Sequence, residues 1–461
     1  MNMRFHSTRG LAPETDLRGV ALSGLAPDGG LYLPKIWPQF STDDLHAMRG
    51  ETYQQIAFRV LRPFMQGAMP EDILRGIIEK SYAAFDAAEV TPMRKLGADC
   101  HLLELFHGPT LAFKDVALQF LGHCFEYFLQ DSGRHLTIVG ATSGDTGSAA
   151  IAALANRKNI DVFILYPDKG PSEIQRRQMT CVDAANVHAL AVTGTFDDCQ
   201  GIVKALFADA RLREEENLST VNSINWLRIM AQIVYYFVAA QKVEGKPTFV
   251  VPTGNFGDVF AGYAAMKCGL PVGKLVVASN RNDILTRFFA TGRMSPQGVK
   301  GTLSPSMDIQ ISSNFERLLF DLCGQDAKQV RGLMCDLKDK NGFSVSDKQL
   351  RQAQEIFVAG RADDEETLAT IADVYDKYGY VLDPHTAVGV KVARDLALPQ
   401  PVICLGTAHP AKFPDTIQRA IGLTPSLPAK TAILINKPER TILLPASTER
   451  VVAFMRERKK S

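Results

Sequence analysis

From residue 135 onward, apolar positions fall into a regular beat. Runs at 135–140 (HLTIVG), 161–166 (DVFILY) and 187–192 (VHALAV) each begin 26 residues after the last, with helix-like stretches such as 147–156 between them. Strands alternating with helices at this interval predict βαβ units and a parallel sheet. Three further runs, 247–251 (PTFVV), 274–278 (KLVVA) and 401–405 (PVICL), are almost continuously apolar, as strands covered on both faces are. Residues 1–95 read differently. A Gly/Pro-rich opening at 24–30 (GLAPDGG) leads to helical segments around 52–66 and 71–86, the second opened by Pro70, which suggests a separate cap or N-terminal layer.

Most of the predicted strands run into small-residue or polar turns, at 141–147 (ATSGDTG), 252–258 (PTGNFGD), 279–282 (SNRN) and 406–410 (GTAHP). Ligands of open α/β sheets bind outside the carboxyl ends of the strands, so four such loops on one edge of a sheet predict a single shared cleft.

Composition narrows the function. The 461 residues suggest two or three domains. Lys plus Arg (51) balances Asp plus Glu (50), which argues against a chain whose main business is the nucleic-acid backbone. The longest apolar run, 233–240, is far short of the ~20 residues a bilayer requires, and the N-terminal ten residues lack the apolar region of a secretory signal. The eight cysteines are at least 12 residues apart, which excludes a CxxC pair or zinc knuckle; no metal site is expected, and reduced thiols packed as small hydrophobes are. Cytoplasm is the expected compartment. The basic cluster at 456–460 reads as a solvated tail.

Three loops and one lysine could carry chemistry. Gly254-Asn-Phe-Gly-Asp258 lies between a buried strand and a helix-like segment, where backbone N–H groups and the helix dipole bind phosphate without Arg or Lys. The alternative is a plain turn whose glycines adopt positive φ. Its spacing is neither GxGxxG nor a Walker motif. Thr142-Ser-Gly-Asp-Thr146 offers hydroxyls and N–H groups to a carboxylate, or caps the following helix. Lys114 sits inside the apolar stretch 111–120 (LAFKDVALQF), continuing as a helix to about 129. A lone lysine is ordinarily a solvated surface charge. A desolvated one has the lowered pKa that a Schiff-base amine needs, and beside two anion cradles it suggests a phosphorylated aldehyde cofactor held covalently. Thr407, at a strand end, offers a neutral hydroxyl to a ring nitrogen, whereas His409 reads as a structural hydrogen-bonder.

These segments, with Ser7-Thr-Arg-Gly10, Gly24-Leu-Ala-Pro-Asp-Gly-Gly-Leu-Tyr32, His107-Gly-Pro-Thr-Leu-Ala-Phe-Lys-Asp115, Ser223-Ile-Asn-Trp226, the run 306–316 (SMDIQISSNFE) and Asp383-Pro-His-Thr-Ala387, resemble the threonine synthase family of fold-type II pyridoxal-phosphate (PLP) enzymes. The matches run in family order from about residue 7 to 413 and look like its longer branch. The resemblance implies two open twisted α/β domains around a central cleft: a PLP-binding domain of residues 96–125 and 246–461, a smaller mobile domain of 126–245, and an N-terminal domain of 1–95. It implies a Schiff-base link to Lys114, with Phe113 adjacent. Gly254, Asn255, Phe256, Gly257 and Asp258 would hold the cofactor phosphate, and Thr407 the pyridine nitrogen. Thr142, Ser143, Asp145 and Thr146 would hold the substrate carboxylate, and Arg228 or Lys412 its phosphate. Other fold-type II enzymes usually carry Asn where this chain has Asp145, which points to a backbone-directed role for that position. The implied reaction converts O-phospho-L-homoserine and water to L-threonine and phosphate, by a monomer or weak dimer acting on a small molecule. A phospholyase on the same scaffold, releasing 2-oxobutyrate, phosphate and ammonia, is the nearest rival. A non-catalytic PLP-fold protein would not need Lys114, and a Rossmann dehydrogenase is disfavoured by the missing GxGxxG.

Overall fold

The computed structural model describes residues 2–97, 100–130 and 132–458. Two sheets organise the chain. The larger has six strands in the order Phe357–Arg361, Leu275–Ser279, Thr248–Pro252, Val402–Gly406, Cys100–Glu104 and Met93–Leu96. All its pairs are parallel except the last, at the edge. The smaller sheet is parallel throughout, in the order Ile442–Pro445, Val187–Thr193, Ile160–Pro167, Leu136–Ala141 and Leu218–Ser219. The strands expected from apolar runs are present with boundaries shifted by a residue or so. Their continuous hydrophobicity follows from helices on both faces.

Between the sheets lies the helix Trp226–Ala240, every residue of which but Ala240 is buried. It begins where the Asn225 side chain accepts a hydrogen bond from Leu227 N–H. It packs against the lysine helix Lys114–Gln130, against Gly257–Lys267 and against the N-terminal helix Tyr53–Met65. The N-terminal segment packs onto this helix. Its helices, its Phe5–Ser7/Tyr32–Pro34 hairpin and the helices of both sheets share one continuous apolar core. Arg317, completely buried, ties them further by donating to the backbone carbonyls of Tyr32 and Ile224.

Three expectations need correction. The four strand-end loops do not lie on one sheet: 141–147 closes a strand of the smaller sheet, and the other three close strands of the larger. Residues 442–458, placed by the sequence reading with the larger domain, join the smaller sheet instead. Leu444, Val451 and Met455 complete its apolar cluster with Val139, Phe163 and Leu190, and Ile442–Pro445 pairs with Val187–Thr193, which would otherwise be an open edge. The basic C-terminal cluster is not simply solvated either, since Arg456 pairs with Glu215 at 3.1 Å and Glu216 at 3.0 Å; Lys459 and Lys460 lie outside the described residues. Among the described residues no helix is long and apolar enough to cross a membrane.

Deleting residues 441–461 removes three buried apolar side chains, each contributing about 1.5–3 kcal/mol. We expect a lower melting temperature and hydrogen-exchange protection lost across 136–141, 160–167 and 187–193 but retained in the larger sheet, as measured by mass spectrometry.

Candidate active site

The carboxyl ends of strands from both sheets converge on Lys114. The Cys100–Glu104 strand leads into a loop in which Leu111 adopts positive φ, and the lysine helix starts at Lys114 itself. Backbone pairing holds this loop against the end of Val402–Gly406: Phe113 N–H donates to Thr407 O at 2.9 Å, and His409 N–H to Leu111 O at 3.0 Å. Thr407 is buried and receives its own backbone support from Thr386 Oγ1. Lys114 and Thr407, 293 positions apart by their numbers, are thus set side by side. Lys114 is 8% exposed, and its Nζ lies 4.8 Å from the Phe113 ring centroid. Burial lowers its proton affinity, Asp145 raises it, and the charges of Lys412 and Arg228 lower it again.

The 254–258 turn opens the helix Gly257–Lys267, so its first N–H groups and helix dipole face the cleft. The left-handed residue in this turn is Phe256, at φ 61°, rather than either glycine. Gly254 is required for a different reason: a Cβ there would lie 2.8 Å from Ser306 O and 3.0 Å from Ile309 Cδ1. The 306–314 segment packs onto the turn. Ser312 Oγ donates to Gly254 O at 2.6 Å, and Asn314 donates to Asn255 O through both its backbone and its side chain, each at 3.1 Å. Asp258 does not turn its carboxylate toward an anion. Tyr235 and Tyr236 donate to its Oδ1, and burial pushes its pKa up to about 6, so only its backbone suits a phosphate.

In the opposing loop, Thr142 Oγ1 accepts from Gly144 and Gly147 N–H, shaping the entry to the helix Asp145–Leu154, while Ser143 is exposed. Asp145 is buried as the first helical residue, and its role is not confined to the backbone. Its Oδ1 faces Lys412 Nζ at 2.8 Å and Gln175 Nε2 at 2.9 Å; its Oδ2 faces Lys114 Nζ at 3.3 Å and Ser306 Oγ at 3.2 Å. Burial opposes its charge, but Lys412 and Lys114 overcome that and hold its pKa well below the usual carboxylate range. Lys412 Nζ is thus already committed to acceptors within the chain. It is fully enclosed, and its other contacts are Thr110 O and Gln178 Oε1.

Arg228 suits the substrate phosphate better. It is buried, its Nη1 donates to Val221 O, and among the described residues its Nε has no partner. Among the described residues it pairs with no carboxylate, and burial lowers its pKa to about 10. A buried guanidinium in this state favours an anion close by. The cradle at Gly254 and the low-affinity Lys114 amine together suit a phosphorylated aldehyde, and the orphaned Arg228 Nε suits a second anion beside them. The 279–282 loop has another job: Asn280 and Asn282 donate to Asp308 and brace the 300–308 chain.

Sequence reasoning missed Gln175, Ser306, Ser312, Asn314 and His385. His385 Nε2 accepts from Ser306 N–H at 3.2 Å, and its Nδ1 lies 3.0 Å from Asp383 Oδ1. The dense small polar run 306–314 was the available signal.

Comparison with known proteins agrees with this geometry. Family profiles described as "Threonine synthase N terminus", "Pyridoxal-phosphate dependent enzyme" and "Threonine synthase, C-terminal" match residues 4–82, 85–359 and 386–455. The chain is 49% identical to threonine synthase of Pseudomonas aeruginosa, covering 98% of both chains. It is similar to the PLP-bound threonine synthase structure from Brucella melitensis (TM-score 0.97, 49% identity, 100% of both chains) and to the yeast structure (0.94, 41%, 99% of both).

Gly254→Ala is expected to weaken PLP binding at least about tenfold, about 1.4 kcal/mol, because backbone rather than a flexible side chain blocks the new methyl. Gly257→Ala, whose Cβ would meet nothing nearer than Asn314 Nδ2 at 3.2 Å, should weaken it less; fluorescence titration of the apoprotein compares the two.

Proposed function

The chain belongs to the threonine synthase family, and on that premise we propose that it converts O-phospho-L-homoserine and water to L-threonine and phosphate, using residues gathered around Lys114. The observation that carries this reading is the enclosure of one amine of lowered proton affinity between a phosphate-type turn and a strand-end hydroxyl. PLP, when bound, supplies an aldehyde that links amines and a ring that takes up the electrons left when a proton departs carbon. Lys114 holds it, with Phe113 beside the amine. The backbone of Gly254, Asn255, Phe256, Gly257 and Asp258 would hold its phosphate, and Thr407 would offer a neutral hydroxyl to its ring nitrogen. A hydroxyl does not stabilise a charged ring nitrogen as a carboxylate would, which tempers the electron sink and disfavours decarboxylation and transamination.

With the substrate bound, Lys114 Nζ would be the base that takes a proton from Cα. Burial lowers the cost of keeping that amine neutral, and the Asp145 carboxylate at 3.3 Å accommodates it when charged. The Thr142, Ser143 and Thr146 portion of the opposing loop binds the substrate carboxylate through hydroxyl and N–H groups at the helix start. Arg228 neutralises a phosphate during binding and as it leaves. Because that loop belongs to the smaller sheet and Lys114 to the chain leaving the larger, closing the two lobes orders the reaction and limits water to the molecule that adds at Cβ. A small-molecule substrate fits this enclosed site. We place the protein in the cytoplasm as a monomer or weak dimer, with no nucleic-acid partner.

Incubation with O-phosphohomoserine, with threonine and 2-oxobutyrate both quantified, tests the reading. Threonine should dominate; 2-oxobutyrate in excess would assign the phospholyase reaction instead. Lys114→Ala should lose the imine absorbance band and at least about 10³-fold in turnover, since covalent linkage and proton transfer both fail. Full activity in that variant defeats the assignment.

A further inference from the structure

The reaction scheme leaves one feature unused. Lys412 is a second lysine at the centre of the molecule, with a fully enclosed side chain. Its three N–H donors have three acceptors: Asp145 Oδ1 at 2.8 Å, Thr110 O at 2.7 Å and Gln178 Oε1 at 3.2 Å. Such a site holds an ammonium and leaves it nothing to offer a ligand. The carboxylate it meets is equally saturated, with two donors on each oxygen. Three of those donors, Lys412, Lys114 and Ser306, come from the larger-sheet side. Asp145 and Gln175 come from helices that follow strands of the smaller sheet.

Geometry makes Asp145 a shared counter-ion. One oxygen is committed to Lys412 and the other is left for Lys114, so the position and charge of the first lysine govern what the second experiences. We propose that Lys412 is a positioning residue for the reaction: it holds the Asp145 carboxylate charged, turned and divided, so that Lys114 receives only a partial counter-charge and its amine stays reactive near neutral pH. This rests on Lys114 being the Schiff-base lysine. It also accounts for an aspartate where related folds usually carry asparagine, because a neutral amide would leave Lys412 a buried cation without its contacting carboxylate.

Coulomb's law gives the two partners opposite signs. Removing the Asp145 charge deprives Lys114 of its counter-ion while Lys412 still repels its proton, so the proton affinity of Lys114 falls. Removing the Lys412 charge ends that repulsion and leaves Lys114 as the sole lysine on the carboxylate, so its affinity rises. The other titratable groups facing the pair are His385 toward Asp145, Arg228 and Asp258 toward Lys114, and Asp115 and His409 toward Lys412; they are common to every variant.

The readout is imine formation itself, which requires a neutral amine. The full-length chain is freed of cofactor with hydroxylamine and mixed with PLP between about pH 6 and pH 10, and the rate of appearance of the imine band is followed. Asp145→Asn should move the midpoint of the rate profile down by about one pH unit, and Lys412→Met up by about one, each equivalent to a tenfold change in the neutral fraction below the midpoint. The double variant, which replaces the whole ion pair by neutral groups, should fall between the two singles. If Lys412→Met does not fold, Asp145→Asn against the double variant still decides the matter, because Lys412 acts only if the second substitution moves the midpoint back up. Shifts in one direction for both singles, no shift, or a double variant identical to Asp145→Asn would overturn the proposal, and a merely structural ion pair would produce them. Borohydride trapping separates this from the reading beneath it. PLP absent from the Lys114 peptide of the native chain defeats that reading, whereas trapping at Lys114 with unmoved midpoints defeats the proposal alone.

Discussion

A carboxylate buried at the junction of two sheets is costly unless every lone pair is met, and Asp145 meets that condition with donors from four separate parts of the chain. That requirement shapes the cleft. The loop after the Leu136–Ala141 strand must reach the chain leaving the larger sheet, the helix Glu173–Thr180 must present Gln175 and Gln178 to the same point, and Lys412 must arrive from the far end of the sequence. The two lobes register against each other through polar contacts that work only when all are made.

Beneath this polar junction the fold is held by apolar packing. The helix Trp226–Ala240 lies between the lysine helix, the helix after the phosphate-type turn and the N-terminal helices. Lys114 is buried in part because it begins a helix that sends nine apolar side chains into that core. The cleft needs little charge of its own for a similar reason. Helix starts at Gly257 and Asp145 supply positive potential, and Arg228 adds a guanidinium that pairs with no carboxylate among the described residues.

The 254–258 turn shows how a motif and its surroundings divide the work. Glycine at 254 looks like a demand for backbone freedom, but the freedom is taken up by Phe256, and Gly254 is small because the 306–309 backbone lies against it. Asp258, adjacent to the turn, faces away toward two tyrosines. Proximity in a motif gave each residue a part in anion binding; packing gave these two quite different parts.

Strand and helix positions, the loops at strand ends, the lysine inside an apolar stretch and the family itself could all be read from the chain, because each depends on local periodicity or on short ordered motifs. The joining of residues 442–458 to the smaller sheet could not, since a short apolar strand carries no mark of which edge it will cover. Nor could the separation of the loops onto two sheets, or the pairing of Asp145 with Lys412, 267 positions away by their numbers. A charged side chain is as polar in one place as in another along a sequence. Whether it becomes a ligand, a surface group or a buried counter-ion is decided by the dielectric and the partners that the tertiary structure puts around it.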